Sequence, residues 1–175
     1  MRRATNLFDL IAEPENLQLA FYKAARGRRG QAVVQHFAAS LDCNIADMSA
    51  SIREGTFAVG RFHQFLIRDP KERVITAPCF DERVLHHATM NVCEPVMERW
   101  LINDTFACRV GKGREAASRR AQGFTHHAEW FLKLDVRKYF DSVPHAGLFA
   151  FLDRRFKDRW LLELLHRIIT SYRGR

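Results

Sequence analysis

The stretch LKLDVRKYFDSVPH, from Leu132 to His145, carries the strongest fold signal in this chain. It continues the apolar run of Trp130 and Phe131, with Lys133 as the only interruption before Asp135. Such a run predicts a short buried strand that ends in a carboxylate. Mg²⁺ is a natural partner for that carboxylate, because this hard cation takes one or two protein carboxylates and completes its shell with phosphates and water. The alternative is that Asp135 caps the next turn.

The acid is followed by a specific order of residues: Asp135, Val136, then Tyr139, Phe140, Asp141 and Ser142. This order resembles motif A of reverse transcriptases, of the bacterial kind found in group II introns, retrons and diversity-generating elements. The resemblance implies that Asp135 binds the catalytic Mg²⁺ ions and that the backbone carbonyl of Val136 assists. It also implies that Phe140 excludes the ribose 2′-hydroxyl by steric overlap, although an ordinary core phenylalanine is the alternative.

The residues that follow predict a helix start. Asp141 and Ser142 lie just before Pro144, which is a good first-turn residue. We expect these two side chains to cap the helix that begins near His145, rather than to take part in chemistry.

The segment FHQFLIRDPKERVITAP, from Phe62 to Pro78, predicts two strands joined by an Asp-Pro-Lys-Glu turn. It resembles the fingers hairpin of reverse transcriptases, which implies that Arg73 and Lys71 close over the triphosphate of the incoming nucleotide. A guanidinium group suits that task because its planar fork binds phosphate oxygens in a bidentate manner. The alternative is an exposed hairpin with solvated charges.

The next segment, CFDERVLHHATMNVCEPVMERW, predicts an amphipathic helix from Phe80 to Arg99. Its apolar residues can share one face: Val84, Leu85, Ala88, Val92 and Val96. In the resembled family an arginine at the position of Arg83 is expected near template or nucleotide.

The segment INDTFACRVGKGREAASRRAQGF, from Ile102 to Phe124, resembles the family motif that precedes a helix under the template. The spacing differs from a Walker loop, which needs a lysine followed by Ser or Thr. Arg114 stands where relatives commonly have a small hydroxyl residue, so a hydroxyl-mediated contact is not expected there. The basic cluster suits a nucleic-acid track, and a solvated helix face is the alternative. This cluster contains Arg109, Lys112, Arg114, Arg119 and Arg120.

Composition agrees with an anionic partner. The net charge is +8 and the pI is near 9.8, and the charge occurs in clusters, which favours nucleic acid. Such charge gives salt-dependent, sequence-independent phosphate contacts.

The 175 residues suit one domain, and no apolar run approaches the ~20 residues needed to cross a bilayer. The N-terminal stretch MRRATNLFDLIAEPENL has acids and a proline where a signal peptide needs an apolar region, so we expect cytoplasmic residence without membrane partners.

The metal-binding residue types give no zinc signal. The four cysteines, Cys43, Cys79, Cys93 and Cys108, lack CxxC spacing, so reduced and partly buried thiols are expected. The doublets His86/His87 and His126/His127 are not expected to bind metal, because adjacent helical residues point in different directions.

The predicted fold class is α+β: the fingers and partial palm of a right-hand polymerase, mostly helical with a β-hairpin and one palm strand. Residues 1–60 would form an N-terminal helical region, with helices at Leu7 to Ala25 and Val33 to Ile52 around the turn RGRRG. Residues 61–130 would form the fingers, with the hairpin at 62–78 and a helix at Gly113 to Ala128. Residues 131–175 would begin the palm, with a helical finish from His145 to Tyr172.

The resemblance implies a fragment of an RNA-directed DNA polymerase from a mobile genetic element. The intact enzyme would make cDNA by two-metal nucleotidyl transfer, with Mg²⁺, an RNA template, a DNA primer and deoxynucleoside triphosphates. The chain has no Asp-Asp pair and no thumb, so we expect it to be truncated and inactive alone. One alternative is a non-catalytic RNA-binding module or a complementing subunit that joins a chain carrying the missing palm and thumb. Another is an unrelated basic, helical nucleic-acid-binding protein in which Asp135 is structural.

A further expectation concerns the apolar run before Asp135. Its strand would lack neighbouring strands and present an open edge. Exposed apolar surface and self-association should follow.

Overall fold

Helices dominate the computed structural model, which describes residues 3–172 apart from the side chains of Phe140 and Asp141. The predicted mixed α+β class is confirmed, since one antiparallel hairpin interrupts the helices. The described elements are, in chain order, α1 (Phe8–Ala12), α2 (Pro14–Ala25), α3 (Ala32–Ala39), α4 (Leu41–Arg53), β1 (Phe62–Asp69), β2 (Lys71–Pro78), α5 (Phe80–Glu98), α6 (Arg114–Thr125), α7 (Tyr139–Ser142), α8 (His145–Asp153) and α9 (Arg159–Ser171).

Both predicted N-terminal helices are broken in two. Glu13 leaves the helical region, with φ −59° and ψ 132°, because a following proline disfavours the α conformation. Pro14 then opens α2 at the position where its missing N–H is harmless. Ser40, with φ −128° and ψ 43°, also leaves the helical region and separates α3 from α4, although no proline follows it. The chain therefore turns twice within stretches that the sequence pattern predicted as continuous helices.

The core lies around α5, which has 19 residues and packs against α1 and α2. The predicted apolar face of α5 is confirmed, since Val84, Leu85 and Ala88 are fully buried and Val92 is half-buried. Burying each large aliphatic or aromatic side chain contributes roughly 1.5–3 kcal/mol. No helix in the described part of the chain is long and apolar enough to span a membrane. The largest fully buried hydrophobic side chains include Phe156, Ile11, Leu17, Ile52, Leu85 and Leu161.

The predicted hairpin forms over Phe62–Pro78. Its register runs from Phe62 opposite Pro78 to Asp69 opposite Lys71, with Pro70 at the tip. Ala77 is the only buried residue of the two strands, so the hairpin projects from the helical core into solvent.

The N-terminal segment joins the region between α8 and α9. Ala4 donates its N–H to the carbonyl of Arg155 over 2.9 Å and accepts from the N–H of Lys157 over 2.8 Å. These bonds form a parallel bridge between Ala4 and Phe156. The predicted helical finish from His145 to Tyr172 forms as two helices, α8 and α9, because residues 154–158 leave the helix to make this bridge.

Asp158 reinforces that junction by serving two helices at once. Its Oδ2 accepts hydrogen bonds from the backbone N–H groups of Leu7 (2.8 Å) and Phe8 (2.9 Å), at the start of α1. Its Oδ1 accepts from the N–H of Leu161 (3.2 Å), as the N-cap of α9. The carboxylate thus satisfies amide groups that helix starts otherwise leave unpaired.

The predicted palm strand does not form. Residues 131–136 have no regular secondary structure, and Trp130, Phe131, Leu132 and Leu134 are 88%, 85%, 81% and 81% exposed. A strand needs a partner to pair its backbone groups, and the hairpin is the only sheet among the described residues. The expectation of a buried strand is therefore wrong here, whereas the expectation of exposed apolar surface is confirmed.

The predicted cap before the helix at His145 is wrong for Ser142. Ser142 ends α7 and donates to the carbonyl of Tyr139 over 2.9 Å. Pro144 occupies the N-cap position of α8, without a side-chain hydrogen bond. Asp141 lies within α7, and its side chain is outside the described part. A separate turn of helix therefore replaces the expected cap.

Candidate nucleotide and nucleic-acid interface

The hairpin presents two cations on one face. Because side chains alternate along a strand, Lys71 and Arg73 point to the same side, together with Ile67 opposite Arg73. Both cations are exposed, and neither forms a hydrogen bond or ion pair with another described residue. By contrast, Arg68 on the opposite face pairs with Glu72 over 3.1 Å. Lys71 and Arg73 are therefore available to bind an anion.

A groove of about 490 Å³ opens beside the same face of the hairpin. His63 and Phe65 line it on the hairpin side, and Arg28 and Arg83 line it on the helical side. Burial, followed by repulsion from Arg28, lowers the pKa of the Arg83 guanidinium. The Nε of Arg83 is buried and has no hydrogen-bond partner among the described residues. Two neighbouring guanidinium groups suit a phosphate.

A second groove, of about 520 Å³, lies beside the hairpin strand β2. Val74 and Thr76 line it from the hairpin, and Lys138 and Tyr139 line it from the segment after Asp135. The structure thus brings the two regions that resemble fingers and motif A to opposite walls of one groove. The side chain of Phe140, the predicted sugar gate, lies outside the described residues.

The base of the hairpin is held by a residue that sequence reasoning did not single out. Glu82 is fully buried, and its two carboxylate oxygens accept the N–H groups of Gly60 (2.9 Å) and Arg61 (3.0 Å). The Nε2 of His86 lies 3.7 Å from the same carboxylate, and burial lowers the pKa of His86. An acid in the first turn of a helix usually indicates a solvated side chain, so the sequence contained no signal for this role.

Arg109 is engaged inside its own loop. Its Nε donates to both carboxylate oxygens of Glu98, at 2.8 and 2.7 Å, and this hydrogen bond raises the pKa of Arg109. Its Nη1 donates to the carbonyls of Ile102 and Thr105, each at 2.9 Å. These bonds hold the loop between α5 and α6 in shape, which is a role the resemblance did not indicate.

The other predicted basic residues of this region differ in whether their side chains already bond to other described residues. Lys112 donates to the backbone carbonyl of Asn103 and lies 5.0 Å from the ring centre of Phe106. Arg114 begins α6 and is exposed, without a hydrogen bond or ion pair to a described residue. Of the three predicted nucleic-acid-binding residues here, Arg114 is therefore the most available.

Asp135 and Val136 lie in the exposed segment before α7. A carboxylate and a backbone carbonyl are oxygen ligands of the kind that Mg²⁺ prefers. Within the described residues, however, no group of three His, Cys, Asp or Glu side chains could hold a metal ion. The ligand types fit Mg²⁺ but the set is incomplete, so we derive no metal-dependent step for this chain.

Comparison with curated proteins places this arrangement in a broad class. The chain is 20% identical over 124 residues to the group II intron-encoded protein LtrA of Lactococcus lactis, covering 69% of the chain. It is 23% identical over 169 residues to nuclear intron maturase 4, mitochondrial, of Arabidopsis thaliana, covering 93% of the chain. A 52-residue stretch, 30% of the chain, is 32% identical to the putative COX1/OXI3 intron 2 protein of Saccharomyces cerevisiae. No protein-family model matches the chain.

These similarities show a general relationship to the reverse transcriptase and maturase proteins of group II introns. The predicted reverse transcriptase relationship is supported at that coarse level. The chain spans 21% of LtrA, 20% of the Arabidopsis maturase and 6% of the yeast protein. It therefore corresponds to about a fifth or less of these relatives.

Proposed function

We propose that this chain is the fingers and first palm part of an RNA-directed DNA polymerase of the group II intron type, and that its hairpin binds the incoming nucleotide. The observation that carries the proposal is the pair of unpartnered cations, Lys71 and Arg73, on one face of a projecting hairpin. A deoxynucleoside triphosphate is a compact polyanion. A guanidinium fork and an ammonium group two residues away can bind adjacent phosphates of such a ligand.

The second groove lies on the other face of the hairpin from Lys71 and Arg73, because Val74 and Thr76 alternate with those two residues. Lys138 and Tyr139 line the same groove, so the segment that follows Asp135 lies close to that face of the hairpin. Asp135 and Val136 would offer oxygen ligands to Mg²⁺, which in such enzymes neutralises charge on the transferring phosphate. We assign the chain itself nucleotide and template binding, with further carboxylates required for chemistry.

Nucleotide binding by the purified chain tests this proposal. Isothermal titration with Mg²⁺ and a deoxynucleoside triphosphate should give a Kd roughly tenfold or more higher for Arg73→Gln, since a hydrogen bond to a charged group contributes ~1.5–3 kcal/mol. Arg68→Gln is the matched control, because Arg68 lies on the other face of the same hairpin. Equal losses in both variants, or no triphosphate binding by the wild type, would contradict the proposal.

A second candidate is a complementing subunit without chemistry of its own. The observation that favours it is the exposed segment Trp130 to Val136, which is apolar except for Lys133 and Asp135 and makes no backbone pairing with another described residue. An extended segment of this kind can add a strand to the open sheet of another chain. Co-purification of a partner that carries an aspartate pair, lost in Leu132→Pro but kept in Arg114→Gln, would support this role.

A further inference from the structure

The buried carboxylate of Glu82 lies at the point where the hairpin leaves the helical core. Its two oxygens accept the consecutive N–H groups of Gly60 and Arg61, just before β1 begins. Glu82 belongs to the first turn of α5, the central helix of the core. The carboxylate therefore joins the start of the hairpin to the helix around which the core is built.

Other contacts at the same point bring the hairpin close to the core. The N–H of Cys79 donates to the carbonyl of Arg61 over 2.8 Å, and the Arg61 guanidinium pairs with Asp81 at the surface. Gly60 adopts φ +89°, and a Cβ there would lie 3.0 Å from the Cβ of Ser171 on α9. The base of the hairpin is thus tightly enclosed, and Gly60 has no room for a side chain.

Beyond its base, the hairpin has little packing. Ala77, near the end of β2, is the only buried residue of the two strands, and a groove lies on each side of the hairpin. The direction in which the strands project therefore depends on the contacts at the base. Among these, the Glu82 bonds have a fully buried acceptor, and leaving a buried carboxylate without its donors is costly.

We propose that Glu82 is a positioning residue that sets the orientation of the hairpin on α5, and so places Arg73 and Lys71 for a triphosphate. The second half of this statement rests on the proposed function. Replacing the carboxylate by an amide would substitute an NH₂ donor for one acceptor oxygen. One of the two backbone N–H groups would then face a donor, and the hairpin would rotate about its base.

Residual dipolar couplings of the backbone amides test the orientation directly. In the wild type, one alignment tensor should fit both the hairpin, 62–78, and α5. In Glu82→Gln, the couplings of the hairpin should fit only a separate alignment tensor of smaller magnitude. Its cross-strand amides should stay protected from hydrogen exchange. Glu94→Gln is the matched control, because it changes the same group on the same helix away from the hairpin base. A hairpin that still fits the wild-type tensor in Glu82→Gln would overturn the proposal.

Ligand binding by the same variants separates positioning from general damage. The Kd for Mg²⁺ and a deoxynucleoside triphosphate should rise about tenfold in Glu82→Gln, whereas the Kd for RNA should stay unchanged. If the wild type binds no triphosphate, the proposed function fails. The dipolar couplings still test whether Glu82 sets the orientation of the hairpin. Glu82→Asp, which keeps the charge but is one methylene shorter, serves as a second variant with the same expected result. Failure of both variants to fold would make Glu82 a folding residue and would overturn the positioning role.

Discussion

Arg109 illustrates how one residue can match a family motif and still have a structural task. It donates hydrogen bonds to Glu98, Ile102 and Thr105, so its removal would leave a carboxylate and two carbonyls without their donor. We expect Arg109→Gln to lower the Tm and to speed amide exchange in the loop between α5 and α6. Arg114→Gln, a neighbouring charge without such bonds, should leave the Tm unchanged. An unchanged Tm in Arg109→Gln, with weaker RNA binding, would instead make Arg109 a contact residue.

Cys93 gives a pH-dependent prediction at the same scale. Burial, assisted by the charge of Asp158, raises the pKa of the Cys93 thiol from 9.0 to about 12. The unfolded thiol therefore loses its proton first, so this group stabilises the fold below pH ~9 and loses that contribution as the pH rises towards 12. Between pH 9 and 10 the wild type should lose about 1 kcal/mol more unfolding free energy than Cys93→Ala, because the unfolded thiol is only half ionised at pH 9. Urea titrations at both pH values measure this, and equal losses would show that the thiol does not matter.

Helix α6 has no buried face and carries several arginines at the surface. None of its residues is buried, so its position owes little to hydrophobic packing. Arg120 pairs with Asp104 over 2.7 Å, whereas Arg114 and Arg119 have no acidic partner among the described residues. These two arginines are therefore the unpaired positive charges of the helix among the described residues.

Salt-dependent RNA binding tests that view of α6. The double variant Arg114→Gln and Arg119→Gln should reduce the slope of log K against log salt by about 1.4–1.8, since each phosphate contact contributes ~0.7–0.9. Arg120→Gln, whose charge is already paired, is the control and should change the slope less. The affinity measured at several KCl concentrations gives both slopes, and an unchanged slope in the double variant would exclude α6 from the RNA contact.

Sequence reasoning succeeded where the signals are local. The hairpin was predicted from its Asp-Pro turn and flanking apolar strands, and the buried face of α5 from its helical periodicity. The breaks at Glu13 and Ser40 were missed, although Pro14 was a signal for the first of them. The palm strand was wrong because strand formation depends on a distant partner. The role of Glu82 and the contact of Asp158 with α1 were invisible for the same reason, since the amides that they accept lie 21 to 151 residues away. The N-cap bond of Asp158 to Leu161, by contrast, spans only three residues.

At the scale of the whole molecule, Asp158 is the residue that joins the two ends of the described chain. Asp158→Ala would remove acceptors from the first turns of both α1 and α9. We expect a loss of roughly 1–4 kcal/mol in unfolding free energy, which is twice the 0.5–2 kcal/mol of a single helix cap. Asp153→Ala removes only an exposed pair with Arg3 and should change stability little. Urea denaturation of both variants measures the unfolding free energy. Similar small losses in the two variants would contradict the capping of both α1 and α9 by Asp158.

Self-association follows from the exposed apolar segment. Trp130, Phe131, Leu132 and Leu134 are adjacent and almost fully solvated, which favours pairing between copies. The double variant Phe131→Ser and Leu134→Ser should shift the protein from oligomers to monomers in analytical ultracentrifugation. The exposed pair Leu10 and Leu19, changed to serine, controls for a general loss of apolar surface. A wild type that is already monomeric at high concentration would contradict this expectation.

The distance in sequence between Asp158 and α1 also sets when α1 can be capped during protein synthesis. The residue lies 150 positions after Phe8, so at roughly 5–20 residues per second it emerges from the ribosome about 8–30 s later. Throughout that interval the first amides of α1 have no carboxylate to accept them, and Ala4 has no strand to pair with. The residues around Phe8 are therefore made long before the contacts that fix them. Nascent chains halted before residue 158 should remain open to proteases at their N-terminal helices, and those halted well beyond it should not.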